Sequence, residues 1–258
     1  MRILYSFARW GLAVYVGLCV VAFLWQRSVM YMPTPAPGDE ADDSSRWLTV
    51  DGEQLRISTV DRAGTKALIY FGGNAESVDG SGPEFAALFP DHAIYLMNYR
   101  GYGGSSGRPS EAALHRDAQA LFDMVRSRHS EITVIGRSLG SGVAVRLAAA
   151  NPVAQLVLIT PFDSILNVAK RVVPFLPVSL LLLDKYESWR YAGQVTVPTL
   201  ILVAERDEVI PRASTEALYR VFTPGVAEWT VIAGAGHNDI SAFPDFIAAL
   251  RGVAGPPS

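Results

Sequence analysis

The sequence predicts an α/β fold: a mostly parallel sheet with helices on both faces. Three observations carry that prediction. Short continuous apolar runs, such as Ala67-Leu68-Ile69-Tyr70-Phe71 and Ala93-Ile94-Tyr95-Leu96-Met97, read as strands buried on both sides. Helix-like segments alternate with those runs, as in a sheet built from crossover units. Six of the runs end in glycine-rich or polar loops, and ligand sites of such sheets lie beyond the carboxyl ends of their strands.

The front of the chain is of another kind. Trp10 to Trp25 is free of charge, and with Ile3 to Ala8 it makes a span of about 20 residues interrupted by Arg9, enough to cross a bilayer. Tryptophans close both ends, as at a membrane interface. The expectation is an uncleaved, single-pass anchor over residues 1–28. Arg2, Arg9 and the amino terminus outweigh Arg27, and Asp39, Glu40, Asp42 and Asp43 follow. The positive-inside rule then puts the globular part on the non-cytoplasmic side. A signal peptide is the first alternative, although no small-residue cleavage site follows the run; a core helix of a soluble protein is the second. Residues 29–46 read as a proline- and acid-rich linker leading into the domain.

After the linker, Trp47 to Val50 and Gln54 to Val60 form a hairpin around Asp51-Gly52. Strands follow at 67–71, 93–97, 131–135, 155–159, 199–203 and 229–232. Helices are expected at Pro83 to Phe89, Glu111 to Arg128, Ser141 to Ala150, Ala213 to Val221 and Pro244 to Arg251. Ile165 to Tyr191 breaks the alternation. Its apolar stretch Val172 to Leu183 contains Pro174 and Pro177, so it is too short and kinked for a second span. It reads as a cap insertion of about 163–192, suited to a greasy substrate or to bilayer contact, with an ordinary core helix as the alternative.

Half of the 258 residues are apolar, enough for one large domain at 47–258. The net charge of −3 and the lack of a basic block argue against nucleic acid as a partner. Cys19 is the single cysteine, so neither an intrachain disulfide nor a cysteine-based metal site is possible.

The chemistry centres on Gly136-Arg137-Ser138-Leu139-Gly140, a G-x-S-x-G between a strand and a helix. A turn that tight needs glycine at 136 and 140, and it lifts the Ser138 hydroxyl clear of the backbone as a nucleophile elbow. The helix N-terminus beside it favours a developing oxyanion. Of four histidines, His92 precedes a strand at the wrong end of the sheet. His115 and His129 fall on or after the long 111–128 helix, on a face expected to be solvated. His237 follows a strand in a glycine-rich loop, which makes it the candidate base. Asp207 and Asp163 both follow strands. The order serine, acid, histidine of hydrolases with this elbow favours Asp207, and Asp163 becomes a loop or pocket residue. The second oxyanion donor belongs in the loop after Phe71, with the backbone N–H groups of Asn74 and Leu139 as candidates; a plain Gly-Asn turn is the alternative. Asn98 to Gly107 lacks the Gly-Lys-Ser/Thr ending of a phosphate loop and reads as a structural turn with Arg100 tied to backbone carbonyls.

These motifs, Tyr70-Phe71-Gly72-Gly73-Asn74-Ala75, Asn98-Tyr99-Arg100-Gly101-Tyr102-Gly103, Gly136 to Gly140, Glu205 to Pro211 and Gly236-His237, resemble the α/β-hydrolase superfamily, in its serine-aminopeptidase-like group. The resemblance extends over most of the chain after Val29, including Ser28 to Pro35. It implies an eight-stranded, mostly parallel sheet and a Ser138–Asp207–His237 triad. One departure is Gly72, where relatives usually carry histidine, in the oxyanion loop. The activity implied is ester, thioester or amide hydrolysis of a small or lipid-like acyl substrate through an acyl-serine, with no metal or organic cofactor. Two rivals stand beside it: a catalytically idle binding or scaffold protein on the same fold, and an acyltransferase using the same triad.

Overall fold

The computed structural model describes residues 2–37 and 45–255; linker residues 38–44, with the acidic run at 39–43, lie outside the described residues, and residues 45 and 46 of the expected linker already belong to a strand. The hairpin pairs β1 (Ser45–Val50) with β2 (Glu53–Val60). Asp51 and Gly52 both have positive φ, 52° and 81°, the twist that a two-residue hairpin turn requires. The remaining strands are β3 (Lys66–Phe71), β4 (Ala93–Met97), β5 (Glu131–Arg137), β6 (Gln155–Ile159), β7 (Thr199–Ala204) and β8 (Ala227–Ile232). They form one eight-stranded sheet in the order β1-β2-β4-β3-β5-β6-β7-β8. β1–β2 and β2–β4 are antiparallel and every other pair is parallel.

The strand order reverses at β3: the chain leaves it for β4 on one side and later returns to β5 on the other. Loops diverge at such a point and leave a crevice at the carboxyl ends. The Gly72–Asn74 loop and the Ser138 turn are the two loops at that crevice.

Alternate residues of the central strands feed two cores. Ile69 and Phe71 join Leu121, Phe122, Val143 and Leu147 on one face, against α3 (Glu111–Arg126) and α4 (Leu139–Ala150). Leu68 and Tyr70 join Phe85, Phe246 and Leu250 on the other, against α2 (Gly82–Leu88) and α9 (Pro244–Ala254). Burial on both faces is what makes these strands continuous apolar runs rather than alternating ones.

The helix α1 (Arg2–Met30) stands apart. Within it Tyr5–Met30 is long and apolar enough to cross a membrane, with a mean hydropathy of 1.9, and none of that span is buried inside the protein. It is therefore not a core helix. The predicted cap comprises α5 (Ile165–Val172), α6 (Val178–Leu181) and α7 (Trp189–Ala192), broken where Pro174 and Pro177 fall; α8 (Arg212–Tyr219) follows β7. The carboxyl end of α1 is clamped to the cap. Arg27 donates to Asp184 through Nε (2.7 Å) and Nη2 (3.1 Å), and the buried hydroxyls of Tyr31 and Tyr186 are 2.9 Å apart.

Three expectations are corrected here. Arg100 is bound chiefly to a buried carboxylate, with Nε and Nη2 donating to the two oxygens of Asp117 at 2.7 and 2.6 Å; one backbone carbonyl, Val50, lies at 3.4 Å. The planar guanidinium matches both carboxylate oxygens, which no pair of backbone carbonyls does as well. His129 is not on a solvated face: its ring is buried between the Tyr95 hydroxyl (3.1 Å) and the Gly64 carbonyl (3.0 Å). His115 is also largely covered, packed on Tyr186 and 3.7 Å from Glu111. The cap covers that part of α3, which helical periodicity alone could not foresee.

Burial pushes the pKa of His115 down, with Glu111 opposing and Arg146 reinforcing, and burial also lowers that of His92. The folded protein therefore prefers both rings neutral. Below the unfolded value of about 6.5 the unfolded chain takes up protons first, so stability is complete above that pH and falls as pH drops through it. The expected result is a lower thermal midpoint at pH 5.5 than at 7.5, with a shallower slope in a His92→Gln/His115→Gln variant, read by circular dichroism.

Candidate active site

The serine turn is built by steric necessity. A Cβ on Gly136 would lie 2.4 Å from the Gly140 carbonyl oxygen, and one on Gly140 would lie 2.0 Å from that of Phe71. The close approach at Gly140 brings the N-terminus of α4 against the end of β3. Ser138 sits between them at φ 47°, ψ −114°, a conformation that costs roughly 1–3 kcal/mol outside glycine and persists only when its surroundings enforce it. Enforcement comes from the Ser138 N–H donating to the Ile159 carbonyl (2.9 Å), and from the Ser141 N–H and hydroxyl donating to the Ser138 carbonyl (2.9 and 2.6 Å). Ser138 itself stays partly exposed.

His237 meets it. Its Nε2 is 3.0 Å from Ser138 Oγ, and its Nδ1 is 3.0 Å from both carboxylate oxygens of Asp207. The side chains of His237 and Asp207 are only 6% and 7% exposed, so the ion pair they form on protonation would be shielded from water. Asp207 is itself fixed, its Oδ1 accepting the N–H groups of Val209 (3.0 Å) and Ile210 (2.7 Å). The loops after β7 and β8 are also laced together, with Arg206 N–H donating to Ala235 O (2.8 Å) and His237 N–H to Glu208 Oε2 (3.2 Å). Three side chains separated by up to 99 positions thus form one hydrogen-bonded chain.

The other acids are occupied elsewhere. Asp163 is buried and held by Asn167 and the Ser214 hydroxyl, away from His237. Asp239 accepts the Gly236 N–H (2.7 Å) and so shapes the histidine loop.

The loop after β3 lies beside Ser138: a Cβ on Gly73 would be 3.7 Å from that of Ser138. A Cβ on Gly72 would lie 2.5 Å from Val78 Cγ1, so a larger residue at 72 would require Val78 to shift. Tyr99 donates to the Gly72 carbonyl (2.8 Å). The Gly73 N–H is taken by Glu76 Oε2 (2.6 Å), whereas those of Asn74 and Leu139 make no intramolecular hydrogen bond among the described residues.

Sequence reasoning missed Glu76, Tyr70 and Arg137. Glu76 also accepts from the Tyr70 hydroxyl (2.6 Å), and Arg137 Nη1 lies 3.6 Å from it. Burial first, and then the Glu76 charge, drive the Tyr70 pKa well upward and keep it a neutral donor. Arg137 Nη2 also donates to the carbonyls of His237 and Asn238 (both 3.3 Å), joining the histidine loop to the Gly72–Glu76 loop. The available signal was an acid three residues after Gly73, the spacing at which a side chain can close on a turn's N–H. The Asn74 side chain is a further surprise. Its Nδ2 donates to Met30 O (2.7 Å) and its Oδ1 accepts from Met32 N–H (2.9 Å) and the Tyr102 hydroxyl (2.7 Å). The end of α1 is thereby bonded directly to the loop after β3.

Known proteins resemble the chain on both counts, sequence and fold. A family model described as the alpha/beta hydrolase fold matches residues 66–178. An uncharacterised protein of Mycobacterium tuberculosis is 33% identical over 236 residues, covering 85% of this chain and 84% of that one. Alpha/beta hydrolase domain-containing protein 17C of Xenopus tropicalis is 32% identical over 166 residues, which is 61% of this chain and 51% of that protein. Among solved structures, the esterase Pf2001 of Pyrococcus furiosus superposes with a TM-score of 0.66 at 18% identity, over 87% of this chain and 96% of that one. An eight-stranded sheet of this order, a serine on a strand-to-helix elbow and these relatives lead to one conclusion: the chain belongs to the α/β-hydrolase superfamily.

Proposed function

We propose that this protein is a membrane-anchored serine hydrolase that cleaves an acyl ester, thioester or amide. The single observation that carries the proposal is the continuous relay from Ser138 Oγ through both ring nitrogens of His237 to Asp207, with each contact at 3.0 Å. Ser138 Oγ attacks the acyl carbonyl while His237 Nε2 takes its proton. Asp207 holds the ring with Nδ1 protonated and stabilises the imidazolium. The carbonyl oxygen becomes an oxyanion, held by the N–H groups of Asn74 and Leu139 and by the N-terminus of α4. Collapse expels the leaving group, which receives the proton from His237. Water then attacks the acyl-Ser138, gives its proton to His237 and releases the acid, and Ser138 recovers its proton.

The helix α1 serves as the membrane anchor in this proposal. The globular domain lies on the non-cytoplasmic side, following the charge bias around α1. A fluorophosphonate probe tests the chemistry, because only an activated serine reacts with it. Labelling is expected at Ser138, lost in Ser138→Ala and strongly slowed in His237→Ala. Absence of labelling in the native protein would instead favour an idle scaffold.

Asn74 serves as a positioning residue through its side chain. Removing the bonds to Met30, Met32 and Tyr102 frees the loop that carries a donor N–H. In Asn74→Ala, kcat for a small acyl ester is expected to fall about 10–100-fold, as for a displaced catalytic group. A smaller change in KM would separate loss of oxyanion alignment from loss of binding.

A further inference from the structure

A cavity of about 540 Å³ lies between α1 and the cap. One wall is Val21, Trp25 and Val29 of α1; the other includes Ile165, Val168 and Ala169 of α5. The polar residue in it is Gln26, whose amide is fully engaged: Nε2 donates to Phe23 O (2.8 Å) and Leu181 O (3.0 Å), and Oε1 accepts from Leu183 N–H (2.7 Å). Beside that engaged amide, the Trp25 indole N–H is the one side-chain donor in the lining. Polar groups would lose solvation on entering it, whereas hydrocarbon would not.

Three features identify the occupant. The first is the wall itself, a helix long and apolar enough to span a bilayer. The second is the cap. Val172, Phe175 and Leu180 are 71%, 66% and 84% exposed, and Tyr15 donates to the Phe175 carbonyl (3.0 Å). Tyr15 lies about 22 Å along the helix from Met30, at 1.5 Å per residue, so the cap tip reaches well up the flank of α1. An apolar tip at that height sits in lipid when α1 spans the membrane, with the exposed Lys170 and Arg171 of the cap free to reach towards headgroups. The third is the inner end. Met30 lines the cleft, and its carbonyl accepts from Asn74 of the oxyanion loop. The Met30 end of the cleft is thus one hydrogen bond away from Asn74, in the loop beside Ser138. Its volume corresponds to on the order of fifteen to twenty water-sized groups, room for one acyl chain rather than two.

We propose that this cleft binds a single long acyl chain of a bilayer-resident lipid ester and brings its carbonyl end to Ser138. The inference rests on the hydrolase proposal for the direction of delivery, but binding in the cleft can be tested without turnover. Full-length protein in phosphatidylcholine nanodiscs is exposed to a palmitate analogue carrying a chain-terminal diazirine, with and without excess palmitate. Cross-links are expected on both walls, α1 residues 21–30 and cap residues 165–173, and are expected to be competed away. Labelling confined to the outer face of α1, or labelling that palmitate does not displace, would overturn the site whether or not Ser138 is active. In Ala169→Trp, and in the milder Ala169→Val, cap labelling is expected to drop. The ratio of kcat/KM for a palmitoyl ester over that for an acetyl ester is expected to drop with it, by about tenfold or more for tryptophan. An unchanged ratio alongside fluorophosphonate labelling would also overturn the site while leaving the hydrolase proposal intact. Cross-links from a peptide or from a second copy of the chain in place of the palmitate analogue would do the same.

Discussion

Replacing Ser138 with alanine is expected to lower kcat/KM for a small acyl ester by a factor on the order of 10⁴–10⁶, with the fold unchanged. The size follows from how the relay is built. In the proposed mechanism Ser138 Oγ forms the acyl bond, and the imidazole 3.0 Å away takes its proton. His237→Ala should cost about as much, and the double variant little more, because the two act as a unit. Asp207→Asn should cost on the order of 10⁴, through the wrong imidazole tautomer rather than through lost charge alone. That variant also exchanges one acceptor oxygen for an amide, while Oδ1 must still serve the Val209 and Ile210 N–H groups. Steady-state kinetics on the three single variants and one double variant would check this. Additive losses in the double variant would mean that the two side chains do not work together.

Gly140→Ala is expected to be the most damaging single methyl group in the domain. The added Cβ would sit 2.0 Å from the Phe71 carbonyl oxygen and 2.7 Å from that of Gly72. Both are backbone atoms of a buried strand end, so neither can swing aside as a side chain would. Either α4 retreats from β3 or the turn at Ser138 opens. Overpacking of a well-ordered core typically costs about 1–3 kcal/mol, and a contact this short against backbone belongs at or above the top of that range. A fall of several degrees in thermal midpoint should accompany loss of fluorophosphonate labelling, since retreat of α4 would displace Ser138 and the Leu139 N–H of the proposed site. Gly136→Ala meets the Gly140 carbonyl at 2.4 Å and Ala144 Cβ at 2.6 Å and should behave alike. Gly252→Ala, in open space on α9, is the control and should leave both readouts near their native values.

Much of this site was legible in the sequence because its parts are local. A glycine-flanked serine between an apolar strand and a helix announces an elbow wherever it occurs, and the alternation of apolar runs with helical segments announces the parallel sheet. His237 and Asp207 could be found because they lie in loops that follow strands, which places them at the same edge. Glu76 and Arg137 were harder. Their roles depend on a turn closing back on itself and on two loops meeting, neither of which leaves a periodic trace. His115 and His129 were misread for a related reason: a helix face is solvated or buried according to what packs over it, and nothing in the 111–128 stretch says that Tyr186 and Tyr95 come to cover it.

By itself the amino-acid sequence determined the class of fold, the strand-to-helix turn that carries Ser138, and a front segment long and apolar enough for a bilayer. Those are properties of composition, spacing and order along the chain. Tertiary structure alone decided that the glycine-rich loop closes on Glu76, that Asp163 is spent on Ser214 and Asn167, and that Met30 and Met32 at the end of α1 are hydrogen-bonded to Asn74. Each of these joins groups that are paired by geometry, because a buried or half-buried polar atom takes whichever partner the packed backbone brings within reach.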